Sequence, residues 1–189
     1  MNDKSSSSYM RLLTEVNKLR PGLNPRTIMT DFEQAALVAF RSVYPNAIQQ
    51  GCLFHLSQCI WRRIQQTTVL QTRYVSVSEF ALLRQLPALA FVPSDDVSQV
   101  FDLLMDSEFF TSNFDEIRDL VNYFEDNWIG RPARRGGRSA AIYPISLWNV
   151  YEQTMQDLPK TNNAVEGWLR GFSQLLGILD LIIRQSENP

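Results

Sequence analysis

The chain has 189 residues, 44% of them hydrophobic and 20% charged, with a net charge of −2 and a pI of about 5.4. That length supports one domain with a sizeable core, or one domain plus an insertion. The balance excludes a globally basic nucleic-acid binder, and no apolar run reaches the roughly twenty residues needed to span a bilayer.

Charge is unevenly distributed. Residues 1–75 hold nine Lys/Arg against four Asp/Glu, whereas residues 94–126 hold ten acids against Arg118 alone. A polyanion is attracted by the first region and repelled by the second, although acids of this kind commonly line solvated helix faces. The two cysteines, Cys52 and Cys59, are too few for a disulfide scaffold and read as reduced thiols in an intracellular compartment. The opening MNDKSSSS has no apolar segment of the kind a secretory signal needs.

Residues 1–8 are polar and read as disordered. Tyr9, Leu12, Leu13, Val16 and Leu19 recur at helical spacing, and Pro21-Gly22 ends that helix. Thr27, Ile28 and Met29 form a short β-prone run. Thr30 and Glu33 have the spacing of a capping box, which opens a helix through Ala35, Leu37, Phe40 and Val43 that Pro45 stops. Asp31 therefore falls where a strand turns into a helix. Ala47 to Phe54 reads as a second strand, and His55 to Gln66 as a third helix. This order is that of a parallel α/β layer, here with few strands.

From Ser76 to Asn127 the chain becomes a series of amphipathic helices punctuated by Pro87 and Pro93. Residues 129–146 read as a basic loop with Arg131, Arg134, Arg135 and Arg138 around two glycines. Trp148 to Met155 reads as one helix. Asn162-Asn163 offers an N-cap for a helix from about Ala164, and a last apolar helix follows. Two strands alone do not make a stable open sheet, so the pattern predicts either a minimal sheet covered by helices or a fragment of a larger α/β domain.

Five segments in order carry a resemblance: TDFEQAALVAF, YPNAIQQGCLFHLSQCI, LPALAFVP, YPISLWNVYEQ and TNNAVEGW. Together they resemble the catalytic core of the Mutator-like (MULE) transposases, over about Lys4 to Phe172. That resemblance implies a mostly helical α/β chain with a partial RNase H-like core at 9–66, an all-α insertion at 67–160 and C-terminal core helices at 161–189. It implies a DNA-cutting site of the Asp-Asp-Glu (DDE) type, in which three acids hold divalent metal. Asp31 then matches the second Asp and Glu166 the final Glu, while Cys52 and His55 match the family's Cys-x-x-His element. Mg²⁺ or Mn²⁺ is the implied cofactor, DNA the implied partner and the nucleus the implied location.

The chemistry suits these residue types. In-line displacement at phosphorus uses metal ions to stabilise the attacking and leaving oxygens, and Mg²⁺ prefers carboxylate oxygen and water. An acid at the C-terminal edge of a parallel strand is where such sheets present ligands. Each residue also has a plainer reading. Asp31 could be an ordinary helix-start acid, and Glu166 a surface acid beside the Asn162/Asn163 cap. Cys52, His55 and Cys59 could hold three sides of a zinc tetrahedron, but buried cysteines are more often small hydrophobes. The four loop arginines could follow a phosphate backbone or form a solvated linker.

The resemblance places the first catalytic Asp upstream of the helix that begins near Tyr9, where this sequence offers only Asp3 in a stretch with no strand pattern. The expectation is a transposase-derived protein, inactive alone. The alternative is a non-catalytic nucleic-acid-binding or protein-interaction module. Open sheet edges predict self-association.

Overall fold

The computed structural model describes residues 5–134 and 136–162. It is mostly helical, with one two-stranded parallel sheet. Arg135, Asn163, Glu166 and the expected C-terminal helices lie outside the described residues.

Helix α1 spans Ser6–Leu19, so it starts inside the polar stretch expected to be disordered. The cause is local: the Ser5 hydroxyl accepts from the Ser8 N–H at 3.3 Å, satisfying a donor that a helix start leaves open. Strand β1 covers Thr27–Thr30, helix α2 Gln34–Val43, strand β2 Ile48–Gly51 and helix α3 Leu53–Gln65. The second strand is shorter than the sequence suggests. Thr27 pairs with Ile48 and Thr30 with Gly51 in parallel register. The Cys52 N–H donates to the Thr30 carbonyl at 2.8 Å, carrying the ladder one step past Gly51.

The expected Thr30–Glu33 capping box does not form. Asp31 Oδ1 instead accepts from the Glu33 N–H at 3.2 Å, and no side chain of the Glu33 cap bonds back to the helix. The Glu33 carboxylate is turned to α1, where it accepts from the Tyr9 hydroxyl at 2.9 Å. A tie between two helices has displaced a local cap. A small core of Leu13, Ile28, Ala39 and Tyr44 lies under it, and Tyr44 donates to Asn17 at 2.6 Å. The short sheet is held by side chains as well as by its ladder, since Gln49 Nε2 donates to the Leu37 carbonyl at 2.8 Å.

The remainder is a helical body. It contains α4 (Thr68–Ser76), α5 (Gln85–Ala88), α6 (Val97–Met105), α7 (Glu108–Ser112) and α8 (Phe114–Phe124). A 3-10 segment, Ser78–Arg84, replaces the α-helix that Phe80, Leu82, Leu83 and Leu86 suggest. Pro87 sits inside α5 rather than ending a helix; in a first turn its missing N–H costs nothing. Helix α8 runs on into a π turn, Glu125–Ile129, closed by a 2.7 Å bond from the Gly130 N–H to the Glu125 carbonyl.

The helix expected over Trp148–Met155 is split into α9 (Ile145–Trp148) and α10 (Tyr151–Met155). Buried Asn149 separates them. Its Nδ2 donates to the Val92 carbonyl at 2.7 Å and its Oδ1 accepts from the Tyr151 N–H at 3.0 Å. These bonds use the backbone-mimicking side chain that makes Asn a helix interrupter. Phe80, Phe101, Phe110, Phe124, Trp128 and Trp148 fill the body's core. Among the described residues no helix is long and apolar enough to cross a membrane.

Candidate functional site

Asp31 occupies the first position beyond β1, at the C-terminal end of the parallel pair. Cys52 occupies the equivalent position beyond β2, as the cap of α3. The sheet register thus sets the TDFE and CLFH segments side by side. His55 follows in the first turn of α3.

A cavity of about 250 Å³ opens beside Asp31. Asp31, Phe32 and Glu33 form one side, and His55, Gln58, Cys59 and Arg62 of α3 form another. The third side comes from the helical body: Tyr123, Asn127 and Trp128 at the α8–π junction, and Tyr143. Residues 55, 58, 59 and 62 are one face of a helix by their spacing. Cys52 does not line the cavity; its side chain is fully buried.

Phe32 fixes the geometry. Its ring meets Trp128 edge to face, centroids 4.7 Å apart, and Tyr143 at 5.2 Å. Trp128 and Tyr143 stack at 4.7 Å with planes 23° apart. The Tyr143 hydroxyl donates to the Phe32 carbonyl at 2.7 Å. The residue after Asp31 is therefore held by both ring packing and a backbone contact from a segment 111 positions away.

The electrostatics are mixed. Burial pushes the Cys59 thiol up, and Asp31 adds to that, while Arg62 and a hydrogen bond with Tyr123 act the other way. Tyr123 is pushed up to about 12, first by burial and then by Cys59 and Tyr143. Tyr143 is raised mainly by burial, against a bond with Gln34 and with Asp31 and Cys59 adding to the rise. Near neutral pH the wall facing Asp31 presents hydroxyl and thiol donors, and Arg62 supplies the cation. Such a pocket offers a carboxylate to a cation and a guanidinium to an anion.

The arginine loop is organised differently from the expectation. Arg131 bonds Glu125 at 2.7 Å and also Asp126. Arg138 bonds Glu125 at 2.8 Å and also Asp102. The acids of the helical body thus claim two of the four arginines; Asp102 is 36 positions from Arg138, whereas Glu125 and Asp126 are six and five positions from Arg131. Arg134 is exposed. Arg62 faces the cavity, while Arg63 lies over the Tyr123 ring at 5.5 Å.

Residues 1–59 match the family model of the MULE transposase domain. That segment, about the first third of the chain, is similar to a MULE transposase domain. The match includes Asp31, Cys52 and His55 and ends at Cys59, so the helical body and the TNNAVEGW segment lie beyond it. No curated protein and no solved structure matches the chain.

Tyr123, Asn127, Trp128 and Tyr143 complete the pocket of the matched segment, and the sequence patterns above do not assign them to it. Tyr143 opens the YPISLW segment, so that motif held a signal. The other three sit in an apparently ordinary amphipathic helix. Among the described residues no three or more His, Cys, Asp and Glu side chains converge as a metal-holding group.

Proposed function

We propose that this transposase-derived chain keeps a remnant of a DDE-type DNA-processing pocket, with Asp31 as its inherited acid. The observation that carries the reading is the position of Asp31. It lies at the C-terminal end of a parallel strand, inside the MULE match, and faces a cavity shared with His55 of the Cys-x-x-His element. The family resemblance adds Glu166 as a second acid and an RNase H-like core around the strand pair, with DNA as the partner and the nucleus as the place of action.

Cutting then needs acids beyond Asp31. Glu166 is one, and the resemblance calls for another on a strand before α1. These 189 residues, in which the resemblance assigns Asp31 and Glu166, are proposed to be inactive by themselves. Arg62 is the side chain of the pocket best placed to meet a phosphate, because its planar guanidinium matches phosphate oxygens. Divalent metal, when supplied with a full acid set, would stabilise charge at phosphorus.

The test is nicking of supercoiled plasmid by the purified chain with Mg²⁺ or Mn²⁺. The expected result is no metal-dependent nicking above background. Nicking that disappears in both Asp31→Asn and Glu166→Gln would overturn inactivity and establish a working site.

A second reading, a non-catalytic binding or protein-interaction module, is favoured by the helical body. That body is far larger than two strands need for cover, and its residues supply most of a core that it shares with Phe32 and α3.

A further inference from the structure

Helix α3 has a second lined face. Opposite the Asp31 cavity, Ser57, Trp61, Tyr74, Arg84 and Pro87 border a groove of about 370 Å³, floored by buried aliphatic side chains. Trp61 and Tyr74 lie 5.2 Å apart with their planes tilted by 50°. Arg84 is exposed, its Nε donates to the Tyr74 hydroxyl at 3.0 Å, and its guanidinium lies 5.9 Å from the Tyr74 ring centre.

Three features narrow the occupant. The groove is at the small end of pockets, about 300–1,000 Å³, so it suits one flat ring rather than an extended ligand. Its polar lining is a serine, a tyrosine hydroxyl and one guanidinium, with no carboxylate, in a chain whose net charge is negative. The guanidinium is braced against Tyr74 and keeps further N–H donors for an anion. An aromatic surface joined to a fixed cation is what a base and its adjoining phosphate require, and stacking of this kind is sequence-tolerant.

We propose that this groove is a stacking subsite for a single-stranded nucleic-acid base, with Trp61 and Tyr74 as the aromatic surface and Arg84 on the neighbouring phosphate. Helix α3 presents one face to the Asp31 cavity and the opposite face to the groove. The subsite deepens the DNA-processing reading above by specifying an unpaired strand.

The experiment is fluorescence anisotropy of a labelled 20-nucleotide single strand of mixed sequence with the full chain. Trp61→Ala and Arg84→Gln are compared with Trp61→Phe, with circular dichroism checking folding. The expected result is a loss of about tenfold or more in affinity for Trp61→Ala. Arg84→Gln should give a weaker loss and a shallower salt dependence, and Trp61→Phe near-retention. Arg84→Gln is exposed and keeps the result readable if Trp61→Ala unfolds.

No binding by the parent chain, or equal binding by Trp61→Ala and Arg84→Gln, overturns the subsite. So does binding of a proline-rich peptide instead, with the same residue dependence. None of these outcomes touches the Asp31 pocket, whose separate readout is plasmid nicking with Asp31→Asn.

Discussion

The Phe32 ring meets Trp128 edge to face at 4.7 Å, planes 85° apart. Phe32 is Asp31's neighbour at the end of β1, and Trp128 belongs to the π turn of the helical body. The contact makes the body part of the Asp31 pocket. Phe32→Ala should cost about 3–5 kcal/mol, as truncation of a buried Phe does. A Phe32→Leu/Trp128→Leu cycle should show a coupling of about 0.5–1.5 kcal/mol. Urea unfolding of the four proteins measures both; additive losses would show that the two rings do not depend on each other.

Gly51 ends β2 against the same ring. A Cβ there would lie 2.4 Å from two atoms of the Phe32 ring and 3.2 Å from the Leu147 carbonyl oxygen. Phe32 is pinned by Trp128 and Tyr143, so it has little room to yield. Gly51→Ala should destabilise by about 1–3 kcal/mol, the usual range for overpacking. Phe32→Leu should relieve part of that loss, and a double variant in denaturant unfolding checks it.

The arginine loop separates stability from binding. Glu125 and Arg138 are 13% and 12% exposed at their side chains, and their pair is the most protected of the loop's ion pairs among the described residues. Arg138→Ala should therefore lower stability by up to about 3 kcal/mol, the low end for breaking a buried pair. Exposed Arg134→Ala should leave stability within about 0.5 kcal/mol. If the loop touches phosphate, Arg134→Ala should instead reduce the salt slope of DNA binding by about 0.9. Thermal melts and salt titrations read the two effects.

Tyr123 gives a pH signature. Its hydroxyl is raised from 10.0 to about 12, chiefly by burial. A raised folded value means that stability is fully present below pH 10.0 and is lost as pH rises through about 12. An ultraviolet titration of tyrosinate should show a late-ionising group that is missing in Tyr123→Phe. The variant's stability should fall less steeply with alkali than the parent's. Identical alkaline curves would contradict the burial.

Legibility followed sequence distance. The turn at Asp31, the strand–helix alternation and the position of His55 rest on neighbours within a few residues, and local pattern revealed them. The MULE match at residues 1–59 covers that same region. The Thr30–Glu33 cap was misread because Glu33 has a better partner in Tyr9, 24 positions away. Arg138 reads as available for phosphate because Asp102 is 36 positions away, whereas Arg131 pairs with acids only five and six positions before it. Trp128 is core, and that it also walls the pocket depends on where Phe32 docks. Asn149 splits a helix through its bond to Val92, which no periodicity reports.

The π turn at Glu125–Ile129 carries a consequence of its own. A π turn is an α-helix with one residue too many, and each residue of a regular helix turns the chain by about 100°. A π turn takes up its extra residue within a single turn, so deleting one position there should restore a regular helix and leave the segments on either side close to their present directions. The stretch that changes is the turn itself, which holds Trp128 against Phe32. The pocket wall thus rests on a turn wound more loosely than the α8 turns before it.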